Sequence, residues 1–371
     1  MKILLLGGTG DMGRRAAKDL VLAQDVDLVT IAGRTSAKAE SLAREVGPKA
    51  KAAAVDVNAH GPLIELMREH DVVAGAVGPY YLYEVPLARA AIAAGVPYVS
   101  LCDDYDGAQG VLELDTQAKE RGVTVLTGAG WTPGLTNVLV RKAAEQLDSA
   151  REAHVAWAAS ASDSSGYAVL FHMLHILTGD VPSYRGGRWI TVRAGTGDVV
   201  VDFGGRLGKV KVYHVGHPEP VTLPRFLPEL EEVTLRGGLS EGYLNALGKL
   251  MARAGLTRTH KRRERLVKLL SGSMALLKRL GALDEPVSGL HVEVRGVRKG
   301  RPATVRYRGT GAMADLTALP LAVATLMVGR GQVQGSGVLA PESPGALDPD
   351  VFLQELADRG VVIEPPQIEE G

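Results

Sequence analysis

The chain opens on a short apolar run, Met1 to Leu6, broken only by Lys2. That is too short to span a bilayer and about the length of a strand buried on both faces of a parallel sheet. It gives way to Gly7-Gly8-Thr9-Gly10-Asp11-Met12-Gly13 and then to Arg14–Leu20, which reads as helix. The same apolar pattern predicts further strands over Asp27–Ala32, Ala52–Val55, Asp71–Val77, Tyr98–Leu101 and Val123–Thr127. Helical stretches lie between them, including Ala37–Val46 capped by Ser36, Val85–Ala94, and Gly107–Ala118, for which Asp103 or Asp104 could supply a cap. Strands alternating with helices at this pitch predict an α/β fold, a doubly wound parallel sheet with right-handed crossovers.

From about residue 131 the pattern changes. Strand-like stretches follow at Ala153–Ala158, Trp189–Val192, Val199–Phe203 and Lys209–Val215, with a hairpin of Leu290–Val297 and Ala303–Arg308 across Arg298-Lys299-Gly300-Arg301. A polar loop over Ser160–Gly166 precedes a helix over Tyr167–Leu177, and His217-Pro218-Glu219-Pro220 reads as a turn. Helix returns from Asp315 through Gly329 and over Val351–Arg359, and the Glu-rich end is expected to fray. These elements predict a second, α+β sheet domain over 131–311, inserted before the C-terminal return. Residues 1–130 plus 312–371 form the first domain, and the inserted sheet is expected to cover the cofactor's reactive face and to make a homodimer.

Between Leu244 and Leu283 two apolar stripes, Leu244, Leu247, Met251, Ala254 and Leu266, Leu270, Met274, Leu277, Leu280, predict a helical hairpin. Its tip, residues 258–265, is Arg-Thr-His-Lys-Arg-Arg-Glu-Arg. Such a hairpin either packs on its own sheet with a solvated basic turn or touches anionic lipid or an acidic partner.

Composition narrows the classes. At 371 residues there is material for two cores. Lys+Arg and Asp+Glu are both 42, which argues against nucleic acid as a partner. The single cysteine, Cys102, excludes an internal disulfide framework and reads as a small apolar residue. No run has the length of a membrane span or the form of a signal peptide, so a soluble cytoplasmic protein is expected.

The chemistry starts at Gly8, Gly10 and Gly13, a G-x-G-x-x-G with the strand before it and the helix after it that phosphate binding requires. Thr9, Asp11 and Met12 belong to the same turn, whose helix N-terminus would hold a pyrophosphate. Arg34 stands 21 positions beyond Gly13, where an NAD-specific site carries a carboxylate for the ribose 2′-hydroxyl. Arg34, Thr35 and Ser36 instead suit a 2′-phosphate, so NADP is expected over NAD. Asp56 and Val57 are expected to border the adenine, with Asp56 also a candidate helix cap. Val77, Gly78 and Pro79 are expected to face the nicotinamide half.

Hydride transfer needs a positioned cofactor, a dry site and the management of one proton. The candidates at the sheet's C-terminal edge are Asp103, Asp104 and Tyr80, with Tyr81 and Tyr105 beside them. Tyr81, Trp131, Thr132, Pro133, Tyr167 and His172 are the expected substrate-side residues, with Asn137 beginning or capping the next helix. His172 and His175 share a helix face, but no neighbouring carboxylate or cysteine completes a ligand set, and no metal is expected.

Gly7-Gly8-Thr9-Gly10-x-x-Gly13, Ala32-Gly33-Arg34-Thr35, Val77-Gly78-Pro79-Tyr80, Tyr98-Val99-Ser100-Leu101 and Trp131-Thr132-Pro133-Gly134-Leu135-Thr136-Asn137 together resemble the saccharopine dehydrogenase-like family. That family includes saccharopine reductase, carboxynorspermidine dehydrogenase and bacterial lysine 6-dehydrogenases. Thr317-Ala318-Leu319-Pro320 and the stretch Gly337 to Glu342 are similar to its returning helix and tail. The resemblance implies NADP- or NAD-linked chemistry at a carbon–nitrogen bond. The family's arginine pattern for an amino-acid substrate is not found here. A short-chain reductase is disfavoured, because no tyrosine has a lysine four positions on. A non-catalytic NADP(H)-binding or membrane-associated interaction protein, or a reductase of a hydrophobic substrate, is the alternative.

Overall fold

The computed structural model describes residues 1–163, 166–281 and 283–371, and for 271–279 the backbone alone. Ser164 and Ser165 of the polar loop, Ala282 of the hairpin, and the side chains of Met274 and Leu277 in its second stripe lie outside the described residues. The chain divides into two units, Met1–Leu135 with Ala314–Gly360, and Thr136–Met313 with Val361–Gly371.

The first unit runs β1 (Lys2–Leu6), α1 (Asp11–Leu20), β2 (Leu28–Gly33), α2 (Ser36–Val46), β3 (Ala50–Ala54), α3 (His60–Arg68), β4 (Val72–Gly75), α4 (Tyr80–Ala94), β5 (Tyr98–Ser100), α5 (Tyr105–Leu112), α6 (Asp115–Glu120) and β6 (Thr124–Leu126). The chain then enters α7 (Leu135–Ala144) and the second unit. That unit continues with β7 (Ser149–Ala159), α8 (Tyr167–Ile176), β8 (Asp180–Arg185), β9 (Arg188–Arg193), β10 (Val199–Asp202), β11 (Lys209–His214), α9 (Glu219–Phe226) and β12 (Glu232–Leu239). The helices α10 (Gly242–Arg253) and α11 (His260–Arg279) follow, then β13 (Ser288–Arg298) and β14 (Arg301–Gly311). The chain returns to the first unit through α12 (Met313–Gly329), β15 (Gly337–Leu339) and α13 (Pro349–Asp358), and ends in β16 (Gln367–Glu370).

In the first unit the strand order is β15-β6-β5-β4-β1-β2-β3, and every pairing is parallel. The order reverses at β1, so the loops after β1 and β4 flank the crevice where a doubly wound sheet binds its ligand. Ile3, Leu4, Leu5 and Leu6 are fully buried, as a central parallel strand requires. α12 is buried on nearly every side, which suits its almost unbroken run of Leu, Ala and Val. In the second unit the order is β10-β11-β12-β7-β13-β14-β16. There β7 and β12 are parallel and the other neighbours antiparallel. The β13–β14 hairpin turns on Lys299 and Gly300, both with positive φ, the geometry of a tight two-residue turn.

Several expectations are corrected. Ser36 is the first residue of α2 and Thr35 its N-cap, so Ser36 does not cap it. The helix expected over Gly107–Ala118 is two, α5 and α6. Asp56 does not cap α3, whose N-cap is Ala59. Asn137 lies within α7 and donates to Thr222 Oγ1 at 3.3 Å. The segment 217–220 is the start of a helix, because Pro218 and Pro220 fit a helix N-terminus. The Glu-rich end is paired rather than frayed, since β16 adds to β14 and carries Val361–Gly371 into the second unit.

The α10 stripe is also corrected. Leu247 and Ala254 are exposed, and the side buried in α10 is that of Asn245 and Gly248. On α11, Val267 is buried against Phe171 and Leu174 of α8, with Met251, Leu266 and Leu270 packed around them, but Leu280 is exposed. Not all of the basic tip is solvated. Arg263 is only 7% exposed and donates to the Thr257 carbonyl at 2.9 Å, and Arg262 donates to the Gly255 carbonyl at 2.7 Å. No helix of the described residues is long and apolar enough to cross a membrane.

Candidate functional site

The loops at the C-terminal ends of β1, β2, β3, β4, β5 and β6 line one edge of the first sheet. After β1, Gly7 takes φ +75°, and the Gly10 amide donates to its carbonyl at 3.0 Å. Helix α1 starts immediately, with Gly10 as its N-cap. Gly13 sits against the turn so tightly that a Cβ there would lie 2.3 Å from the Gly7 oxygen and 2.6 Å from Gly8 Cα. A Cβ on Gly10 would meet only the Gly7 oxygen, at 3.4 Å, and would otherwise enter open space. The turn is thus packed on its protein side and open in front of the α1 N-terminus, the shape a phosphate cradle needs. Thr9 reaches toward β2, since a Cβ on Gly33 would lie 3.3 Å from its Oγ1.

Arg34 and Thr35 are exposed at the end of β2. The Ser36 hydroxyl donates to Glu40 Oε1 at 2.5 Å, so it is engaged along its own helix. Across from them, Asp56 Oδ1 accepts from the amide and the side chain of Asn58, at 3.0 and 2.9 Å. These bonds, with a further contribution from the Arg34 guanidinium, hold the Asp56 carboxyl below its usual range. After β4, Val77 and Gly78 are half-buried, Gly78–Pro79 is cis, and Pro79 is the N-cap of α4.

Helix α4 begins at Tyr80, five residues earlier than the sequence suggests, and this changes what it carries. Asp104 is fully buried, and its Oδ2 accepts from the Tyr81 amide at 3.0 Å, which satisfies an N–H of the first turn of α4. Asp103 is half-buried beside it. Burial, with the Asp103 charge next, raises the Tyr80 phenol well above its ordinary range and keeps it neutral. Burial does the same to the Cys102 thiol, which therefore lacks the character of a nucleophile.

One turn further along α4 is a residue that sequence reasoning missed. Glu84 is fully buried. Its Oε1 accepts from Ser100 Oγ at 2.6 Å and Thr127 Oγ1 at 2.8 Å, and Tyr98 OH lies 3.3 Å from Oε2. Burial pushes its pKa up to about 7, against the lowering effect of those three hydroxyls. Glu84 thus ties α4 to the ends of β5 and β6, at the roots of the loops carrying Asp103, Asp104 and Trp131. In the latter loop Trp131, Thr132 and Pro133 are all buried, Thr132–Pro133 is cis, and the Gly130 amide donates to the Pro133 carbonyl at 3.0 Å.

In the second unit, Tyr167 and His172 lie on different sides of α8. Tyr167 is 52% exposed and packs 4.9 Å from the Phe171 ring, which stacks on His260 of α11. His172 is buried, with its Nε2 3.1 Å from Nε2 of His217. His217 Nδ1 in turn faces Glu219 Oε2 at 3.6 Å, and Glu219 Oε1 accepts from Thr136 Oγ1 at 3.3 Å. Two imidazoles meeting nitrogen to nitrogen share one hydrogen bond, donated by one ring to the other.

With this geometry in place, residues 3–126 match the saccharopine dehydrogenase NADP binding domain. The full-length chain also has relatives. It is 24% identical over 391 residues to the carboxyaminopropylagmatine dehydrogenase of Synechocystis sp., covering 97% of this chain and 96% of that protein. It is 27% identical over 418 residues to the carboxynorspermidine synthase of Vibrio cholerae, covering 100% of this chain and 98% of that one. Among solved structures, the saccharopine dehydrogenase (L-Glu forming) of Saccharomyces cerevisiae superposes with a TM-score of 0.70 at 19% identity, over 99% of both chains. That likeness is one of fold: a parallel Rossmann sheet with a second, mixed-sheet unit.

Proposed function

We propose that the chain is an NADP(H)-dependent oxidoreductase that works at the carbon–nitrogen bond of a small imine or amine. The observation that carries the reading is the cradle at Gly7–Gly13, closed behind Gly13 and open in front of Gly10, within a segment that matches an NADP binding domain. The full-length similarity to a carboxyaminopropylagmatine dehydrogenase and a carboxynorspermidine synthase supports the C–N assignment.

The amides of Gly8 to Gly13 would hold the pyrophosphate, Arg34 and Thr35 the 2′-phosphate, Asp56 and Val57 the adenine edge, and Val77 to Pro79 the nicotinamide side. Bound there, the cofactor supplies the hydride. The chain's part is to orient and to move one proton. Asp103, half-buried, takes the amine nitrogen. Asp104, committed to the Tyr81 amide, holds the start of α4 and adds negative charge beside it. Tyr80, kept neutral, donates a hydrogen bond. Trp131, Thr132, Pro133 and Tyr81 form the substrate side. The proposal extends to a cytoplasmic homodimer. Exposed Val199 and Val200 on the edge strand β10 support pairing with a second copy, which light scattering would test.

The test is a fluorescence titration with NADPH and NADH in parallel, followed by turnover of NADPH with amine and keto-acid or aldehyde pairs. Arg34→Asp is expected to weaken NADPH by roughly 100-fold, the loss of a charge-assisted pair worth about 3 kcal/mol, and to leave NADH nearly unchanged. Equal loss for both would show that Arg34 does not read the 2′-phosphate. NADPH binding without turnover on any pair would leave a binding protein in place of the enzyme.

A further inference from the structure

The helices α10 and α11 carry large apolar side chains that are exposed. On α10, Tyr243, Leu247 and Leu250 recur at helical spacing on one side, and Leu250 is 63% exposed. Leu256, in the connection, is exposed as well, and so is Leu269 of α11, at 71%. The buried side of the pair is separate, made by Val267 with Leu266, Leu270 and Met251 against α8. This is therefore surplus apolar surface and not the outside of a core.

The charge along the two helices is almost all of one sign, although Glu241 and Asp284 lie near Tyr243. Between Gly242 and Leu270 the basic residues are Lys249, Arg253, Arg258, Lys261, Arg262, Arg263, Arg265 and Lys268, against Glu264 as the single acid. The whole chain balances at 42 and 42, so the excess is local. Some of these cations have structural duties: Arg262 and Arg263 close the turn, Lys249 lies 3.6 Å above the Tyr213 ring, and Lys268 pairs with Glu264 at 2.9 Å. Arg253, Arg258, Lys261 and Arg265 are exposed beside the leucines.

A second copy of this chain fits the face poorly. A two-fold contact sets the same patch against itself, and here that opposes like charges. Exposed leucines and a tyrosine on helices rich in Lys and Arg match a surface that is apolar below and anionic at its rim. We propose that α10–α11 is a peripheral membrane-binding element, which seats Tyr243, Leu247, Leu250 and Leu269 at the acyl boundary of an anionic bilayer while Arg253, Arg258, Lys261 and Arg265 meet lipid headgroups. This inference is independent of the cofactor reading.

The experiment is co-sedimentation of the full chain with vesicles of phosphatidylcholine alone and of equal parts phosphatidylcholine and phosphatidylserine, at low and high salt. The protein is expected to pellet with the mixed vesicles at low salt and to be released by high salt. Each Lys or Arg near such a surface contributes about fivefold in partitioning, so Arg258→Ala, Lys261→Ala and Arg265→Ala together are expected to lower it roughly 100-fold. Leu250→Glu with Leu269→Glu is expected to abolish it, while thermal unfolding, unchanged because both side chains are exposed, confirms that the variant is folded. Absence of pelleting with mixed vesicles overturns the proposal. So does equal binding to both vesicle types, and so does a dimer that Leu250→Glu dissolves, since that would make a second copy the occupant.

Discussion

Gly13→Ala is expected to abolish measurable NADPH binding. The new methyl group would stand 2.3 Å from the Gly7 oxygen and 2.6 Å from Gly8 Cα, both backbone atoms that have no rotamer by which to escape. The N-terminus of α1 must then back away from β1 by about 1 Å, and the amides that face the phosphates go with it. Losing two charge-assisted hydrogen bonds costs about 3–6 kcal/mol, about 100-fold or more in affinity. Because the same shift disturbs the packing of α1, Gly10→Ala is the informative companion. Gly10 has an extended backbone, φ −78° and ψ 170°, that any residue adopts, and a Cβ there touches only the Gly7 oxygen at 3.4 Å. It is expected to keep the wild-type melting temperature and still to lose affinity, since the space it fills is the ligand's. Gly10→Ala that bound NADPH as tightly as the wild type would place the phosphates elsewhere.

Glu84→Gln is expected to make the protein more stable at pH 8 and to change little at pH 5. The ordinary carboxyl value is 4.5, and burial pushes Glu84 up to about 7 in the folded state. Between those values the folded chain holds a proton that the unfolded chain has released. Stability therefore falls as pH rises through that window and is level above it. The difference corresponds to about 3 kcal/mol at ~1.4 kcal/mol per pH unit. Glutamine has the shape of the neutral acid, keeps an oxygen for Ser100 and Thr127, and does not ionise. Denaturant unfolding at pH 5, 6.5 and 8 checks this: the wild-type curve should fall and the variant curve stay nearly flat. Parallel curves would mean that Glu84 stays charged or is relieved by neighbours. Glu84→Ala is expected to be destabilising at every pH, because it leaves three buried hydroxyls to find new partners.

The contrast between Gly13 and Glu84 marks what the sequence makes legible. The Rossmann half reads directly, because each of its strands is a buried apolar run and its glycines are spaced by backbone contacts that only glycine permits. Glu84 does not read, because the start of α4 is hidden by Pro86, which favours a helix beginning just before it. Once α4 is seen to begin at Tyr80, the buried residues Tyr80, Glu84, Leu87, Ala88 and Ala91 fall on one stripe, and a carboxylate within it is conspicuous. His217 and Glu219 were hidden in the same way, in a proline-flanked segment read as a turn. β8 and β12 went unseen because their alternation is interrupted, by Pro182 in one and by Gly237 and Gly238 in the other. The charge of the basic hairpin was plain in the sequence, but the burial of Arg263 depends on a carbonyl six residues back and could come only from the fold.

The pairing of β16 on β14 bears on how the protein is handled. Arg306 and Arg308 each hold an acid from the tail, Glu369 at 2.6 Å and Glu364 at 2.9 Å, and Glu364 also donates its amide to the Arg308 carbonyl. Proteolytic removal of this segment would strip the border and bare the β14 backbone from Ala303 to Gly309. A sheet margin of that kind recruits other chains. Preparations clipped near residue 360 should cloud on storage while their spectra still look native.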